Sequence, residues 1–336
     1  MLTRGGMDNQ LRPLNLGEIL DRTADLFRSR FLFFTGLASI FAAAMLAVQL
    51  IQVGAMHLMG YPEIAPHLAL VYAVLIVANL LLISLLAGLS IAAFNRAVAW
   101  IYLGKPATIY GAVSSIFAQV RRYLWLMTVT MIFAWGPLIG VYILLFGTIF
   151  AAGFGGAMFG AQGAQQPATM GPGAMAGALI GFLLVLLLSI PATIYGVVMW
   201  LRYSLAMPAC VVEGLPAGKA IRRSINLSEG SRGRIFVLWL LVFVVRLMLG
   251  LLIEFPMILL VVKHPGQPVP LGWMVYQQFG VFAINALIGP IYSIGLTLFY
   301  YDQRIRKEGY DIEWMMQAAG LLPQQATSEL GGGSLN

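Results

Sequence analysis

The hydrophobic residues of this chain are gathered into six long stretches. They cover about residues 31–59, 68–94, 124–152, 175–207, 235–262 and 273–301. An α-helix needs roughly 20 predominantly apolar residues to cross the hydrocarbon core of a bilayer, and each stretch is longer than that. None alternates between apolar and polar residues as the strands of a membrane barrel do. The pattern therefore predicts an all-α, polytopic integral membrane helix bundle with six transmembrane spans.

Amphipathic segments precede the first, third and fifth of these spans. The first segment, "LNLGEILDRTADLFRSRF" at 14–31, has apolar positions at helical spacing, and its Asn15 and Glu18 have the spacing of a capped helix start. Comparable segments begin near residues 105 and 216. We expect such helices to lie in the cytoplasmic membrane interface. The chain can thus be interpreted as a three-fold repeat of helix, span, loop and span. The alternative is that any multi-pass protein places short basic loops before its spans.

The composition excludes a water-soluble protein of this length. Of 336 residues, 60% are hydrophobic and 10% are charged, and the mean hydropathy is +0.86. A soluble domain would expose far more polar surface than this chain can supply. We expect a membrane domain over residues 14–316, flanked by disordered segments at 1–13 and 317–336.

The basic residues predict the orientation. In a six-span topology, 18 of the 20 Lys and Arg residues fall on one side, whereas Lys263 falls on the other and Arg246 within the fifth span. The positive-inside rule then places both termini on the cytoplasmic side of a cell inner membrane. The net charge of +7 follows from this topology, so no nucleic-acid partner is predicted. Nine basic residues near the cytoplasmic interface are candidates for contact with anionic lipid headgroups: Arg121, Arg122, Arg222, Arg223, Arg232, Arg234, Arg304, Arg306 and Lys307. The alternative is that these residues only enforce the topology.

Two charged residues lie within the fifth span. Arg246 and Glu254 are eight residues apart, which is about 12 Å along a helix and about 80° around it. They cannot stack on each other, so each is expected to find a partner on another helix, with Asn79 and Asn285 as candidates. A charge at this depth is costly and should face protein or water. The four side chains form either a polar path for a small solute or a structural clamp.

No catalytic or metal-binding constellation is present in the sequence. His57, His67 and His264 fall in or next to the outer loops, and no pair of them has ligand spacing. Cys210 is the single cysteine, and there is no nucleophile motif or phosphate-binding loop. We therefore predict no cofactor, no metal and no enzymatic activity.

Three segments together resemble a known family. They are "LNLGEILDRTADLFRSRF" at 14–31, "RYSLAMPACVVEGLPAGKAIRRSINLSEGSRGRIF" at 202–236 and "LFYYDQRIRKEGYDIEW" at 298–314. They resemble bacterial multi-pass proteins related to the membrane domain that precedes some glycerophosphodiester phosphodiesterases. The resemblance implies a membrane location. It does not imply phosphodiesterase activity, because that catalytic domain is a separate barrel for which this chain has no room.

These observations favour a non-enzymatic inner-membrane protein. It would be a cell-envelope scaffold or a lipid-interacting protein, with membrane lipids and other membrane subunits as partners. The alternative is a small-solute transporter or channel-like protein that uses Arg246, Glu254 and proline-kinked spans. Prolines fall within or near the last four spans, at Pro137, Pro191, Pro256 and Pro290.

Overall fold

A computed structural model describes residues 13–60, 68–160, 172–264 and 267–309, with the side chains of 69–70 and 145–180 left out of the description. The two predicted disordered segments lie outside the described residues, except for Pro13. His67 also lies outside them.

The described chain is helical along nearly its whole length. In chain order the helices are α1 (Leu16–Ser29), α2 (Phe31–Leu58), α3 (Ala69–Tyr102), α4 (Ile109–Phe117), α5 (Val120–Gly160), α6 (Pro172–Tyr203), α7 (Ala206–Val212), α8 (Ala217–Ser228), α9 (Arg232–Lys263) and α10 (Leu271–Glu308). The six long ones, α2, α3, α5, α6, α9 and α10, are long and apolar enough to cross a membrane. The predicted all-α, six-span bundle is confirmed.

Three spans extend clearly further than the apolar stretches predicted, and α5 (Val120–Gly160) does so at both ends. Helix α3 continues to Tyr102 and α10 to Glu308. In α3 the extension contains Asn95 and Arg96, which are 0% and 5% exposed. A helix can therefore continue past the end of its apolar stretch where its polar residues form hydrogen bonds inside the bundle.

The spans pack as three antiparallel hairpins, α2–α3, α5–α6 and α9–α10. A short helix precedes each hairpin: α1 before α2, α4 before α5, and α8 before α9. This order matches the three-module interpretation. Helix α7 has no counterpart in the described segment before α4, and it packs against α3 and α8.

The first amphipathic helix packs on protein. Asn15 and Glu18 form the predicted capping box. The buried face of α1 contains Ile19 and Thr23, and the helix packs against α10 and α9. Sequence reasoning assigned the apolar face to the membrane interface, whereas the structure places its centre inside the bundle.

The buried core lies at the end of the bundle that carries α1, α4, α7 and α8, here called the basic end. Its largest fully buried side chains include Phe94, Tyr123, Leu205, Phe299 and Tyr300. Towards the opposite end the spans expose their apolar side chains, as lipid-facing helices do. The hairpins are therefore held together mainly at the basic end.

Candidate functional site

Two polar pairs connect the antiparallel helices α9 and α10. The guanidinium of Arg246 donates to Asn285 Oδ1, and the amide of Gln277 donates to Glu254 Oε1. The second pair lies eight residues later on α9 and eight residues earlier on α10, so both pairs share one helix register. Asn79, which is half-buried on α3, belongs to neither pair.

A cavity of about 380 Å³ opens at the first of these pairs. Five spans, α2, α3, α6, α9 and α10, contribute to its wall, so it lies where the three hairpins face one another. Arg246 and Asn285 line it together with Ser90, Tyr292 and Ser293. Arg246 is fourteen residues into α9, about 21 Å along the helix axis, so the cavity lies deep within the span.

Aromatic rings form one side of this cavity. Trp239 stacks on Phe243 with ring centroids 4.9 Å apart, and Trp200 stacks on Tyr292 at 6.2 Å. Trp200 and Trp239 also meet edge to face at 5.4 Å. A wall of this kind, with few polar groups, is typical of a small-molecule site.

The cavity carries one positive charge. Within the described part of the chain, Arg246 hydrogen-bonds to Asn285 and forms no ion pair. An amide oxygen accepts a hydrogen bond but cancels no charge. The described lining of the cavity contains no carboxylate, so the guanidinium is left without a counter-ion at a depth where charge is costly.

A smaller cavity of about 80 Å³ lies next to the first. Its lining includes Thr130, Tyr203 and Ser204 from α5 and from the end of α6 and the turn that follows it. Ile91, Trp200 and Tyr292 line both cavities. Three side chains therefore separate the two spaces.

A buried carboxylate ties the start of α1 to the basic end, in a cluster here called the Asp302 interlock (Leu14, Arg234, Asp302, Gln303 and Arg306). Asp302 Oδ1 accepts from the Leu14 amide at 2.7 Å. Both carboxylate oxygens accept from Arg306 Nε at 3.0 Å, and Oδ2 accepts from Arg234 at 3.3 Å. The two arginines also donate to the Leu14 carbonyl, at 2.9 Å and 2.6 Å. Sequence reasoning missed Asp302, since Leu14 is 288 residues away.

A second acidic cluster fixes α8 to α10. Arg223 bonds to Glu213 and Glu308, and Arg304 lies 3.6 Å and 3.4 Å from the same two carboxylates. Tyr300 donates to Glu213. Burial disfavours the charged form of Arg223, but its bonds to Glu213 and Glu308 outweigh that effect and raise its pKa.

These clusters change the picture of the nine predicted lipid-contact residues. Six of them bind within the protein: Arg122, Arg223, Arg234, Arg304, Arg306 and Lys307. Arg121, Arg222 and Arg232 have no hydrogen bond or ion pair to the rest of the described chain. Lipid contact stays a prediction for all nine residues, and these three are the ones that no bond within the described chain already holds.

Arg96 extends the buried polar structure of the basic end. Its guanidinium donates to the Tyr123 hydroxyl at 3.2 Å, which donates to Gln119 at 3.1 Å. Arg122 donates to the same Gln119 oxygen and, at 2.8 Å, to the Gly214 carbonyl. Among the described residues, no carboxylate takes part in this series of hydrogen bonds. Sequence reasoning did not find the series. Among the described residues no group of His, Cys, Asp and Glu could hold a metal ion.

A family model described as a domain of unknown function (DUF7847) matches residues 107–303, more than half of the chain. The chain belongs to this family. The matched range includes Arg246 and Asn285 at the cavity and Asp302 at the interlock, whereas helix α1 lies before this range. No curated protein and no solved structure matches the chain. The match names neither a bacterial source nor glycerophosphodiester phosphodiesterases, so that resemblance stays a prediction.

Proposed function

We propose that this protein is a non-enzymatic protein of the cytoplasmic membrane that binds part of a lipid molecule in the cavity between its three hairpins. The observation that supports this most directly is a cavity of about 380 Å³ at mid-span that combines one arginine with an aromatic wall. A ligand that suits such a wall and such a charge is amphiphilic.

The arrangement of the hairpins gives a lipid a route of entry. Helices α2 and α9 both line the cavity, yet their described parts do not pack along each other. We propose that the cavity opens between these two spans into the hydrocarbon, so that an acyl chain stays in the bilayer while its headgroup enters. The cavity volume lies in the range of small-molecule pockets, and it is too small for a whole two-chain lipid.

The basic end supports a second lipid contact at the cytoplasmic surface. Arg121 and Arg222 are exposed, and Arg232 is half-buried. Each basic residue close to an anionic leaflet contributes about 1 kcal/mol of attraction. This part of the proposal requires both termini in the cytoplasm, as the charge distribution predicts.

The test compares two glycine variants by native mass spectrometry of gently extracted protein. Gly289 lines the cavity, and a Cβ atom there meets nothing within 4 Å, so Gly289→Leu should fill the space and abolish lipid retention. Gly250→Leu is the matched control, because Gly250 is also open to a Cβ but does not line the cavity. Equal lipid retention by both variants would contradict the proposal.

A small-solute transporter is the second candidate, and the adjoining small cavity is the observation that favours it. If the two cavities form a path, Trp200 blocks it. Trp200→Ala should then let reconstituted vesicles lose an imposed pH gradient faster than vesicles with the wild-type protein. An unchanged rate of loss would leave the path without support.

A further inference from the structure

We infer that the lipid bound in the cavity carries an anionic headgroup and that Arg246 selects it by pairing with the headgroup phosphate. This inference rests on the proposed function and names the ligand class of the same site. It goes beyond the structural clamp between α9 and α10, because it assigns the Arg246 charge to a partner outside the protein.

The charge balance of the cavity is the first argument. Arg246 is the charged residue of the described lining, and its protein partner Asn285 is neutral. An anionic headgroup cancels the guanidinium charge and adds no second one. A zwitterionic headgroup brings an ammonium group as well, and the lining offers it no carboxylate.

The donor geometry is the second argument. A guanidinium presents five N–H donors in a planar fork that matches two phosphate oxygens. The bond to Asn285 uses one terminal nitrogen, Nη2, so the rest of the fork remains for a ligand. Charge-assisted bidentate bonds of this kind are roughly twice as strong as neutral hydrogen bonds.

The aromatic wall suits an acyl or glycerol portion better than a choline group. A quaternary ammonium needs free ring faces around it. Here Trp239 stacks on Phe243 and Trp200 on Tyr292, so each ring has one face covered by its neighbour. The wall is therefore mainly an apolar surface.

The experiment uses full-length protein in nanodiscs made of equal parts phosphatidylglycerol and phosphatidylcholine. Lipids that stay bound after extraction are identified by mass spectrometry. We expect the wild type to enrich phosphatidylglycerol and Arg246→Gln to lower that enrichment about tenfold, which corresponds to about 1.4 kcal/mol. Arg246→Lys keeps the charge but loses the planar fork, so it should retain only part of the preference. Lys263→Gln, at the exposed opposite end of α9, should leave it unchanged.

Each outcome decides between the two levels of the proposal. Lipid retention without headgroup preference, or equal preference in wild type and Arg246→Gln, would overturn the inference and leave the proposed function intact. A preference for phosphatidylcholine would overturn it in favour of an aromatic choline site. Absence of retained lipid in the wild type would refute the proposed function itself. If Arg246→Gln does not fold, Arg246→Leu replaces it, and the preference should fall in the same way because the charge is gone.

Discussion

Replacing Asp302 with asparagine should detach α1 from the bundle. The side chain of Asp302 is 0% exposed, and it accepts hydrogen bonds from Arg234, Arg306 and the Leu14 amide. Asparagine keeps the shape but removes the negative charge that faces two guanidinium groups. One of the two carboxylate oxygens is also replaced by an NH2 group. This hydrogen-bond donor then faces the donors that the carboxylate had accepted from.

The size of the effect follows from the burial of the partners. Removing one member of a buried ion pair costs about 3–5 kcal/mol, because the other charge stays behind. The side chains of Arg234 and Arg306 are 30% and 38% exposed, so water partly solvates them after the change. We therefore expect about 2–3 kcal/mol, at or just below the lower end of that range. That is enough to raise the open population of α1 by a factor of roughly 30–150.

Limited proteolysis of purified protein measures this opening. Asp302→Asn should be cleaved within or before α1 far faster than wild type, while cleavage elsewhere stays unchanged. Asp25→Asn is the matched control, since Asp25 is exposed on α1 and has no hydrogen bond or ion pair to the described residues. If Asp302→Asn and Asp25→Asn are cleaved at the same rate, the Asp302 interlock does not hold α1.

Four further predictions address the docking of α1, the topology, the buried charge and the hairpin packing. Ile19→Asp should release α1 in the same proteolysis assay, because it loses about 1.5–3 kcal/mol of apolar burial and buries a charge. Single cysteines at Gln165 and Ser328, in a Cys-free variant, should react with an impermeant reagent on intact cells at Gln165 only; the reverse pattern would invert the topology. Arg246→Leu should leave the melting temperature within a few degrees of wild type, because it removes a costly buried charge along with one hydrogen bond. Gly280→Val should destabilise the α9–α10 hairpin by about 1–3 kcal/mol, since even a Cβ there would lie 2.7 Å from an α9 side chain.

Two of these predictions have matched controls on the same helices. Ala24→Asp places the same charge on the exposed face of α1 and should not release the helix. Gly272→Val adds the same bulk to α10 where a Cβ meets nothing within 4 Å. If either control behaves like its partner variant, the effect is not specific to the packing described.

The spans were predictable because of a constraint that acts locally. A backbone in hydrocarbon must satisfy its own hydrogen bonds, so a long apolar stretch is helical whatever surrounds it. Depth along a span can also be read from the sequence, and that is why Arg246 and Asn285 were candidates. Gln277 was not, because the side chain of α10 that meets Glu254 is known only from the register of α9 against α10.

The basic residues show where sequence reasoning reached its limit. The count of Lys and Arg residues predicts which loops lie on the cytoplasmic side of the membrane. It does not predict which of these residues pair with a carboxylate. Arg223 and Arg234 find Glu308 and Asp302 through contacts between distant parts of the chain. Six of the nine residues predicted to contact lipid also bind within the protein, and only the pairs Arg304–Glu308 and Arg306–Asp302 have the local i,i+4 spacing that a sequence can show.

The residues that carry the family resemblance and those that line the candidate site have different roles. The three segments 14–31, 202–236 and 298–314 converge on the Asp302 interlock, where Leu14, Arg234 and Asp302 each come from a different one. The role of these three segments in this protein is thus to assemble the basic end of the bundle. Arg246 and Asn285 lie outside all three segments. The ligand of this protein therefore has to be argued from the residues that line its cavity and not from the three segments.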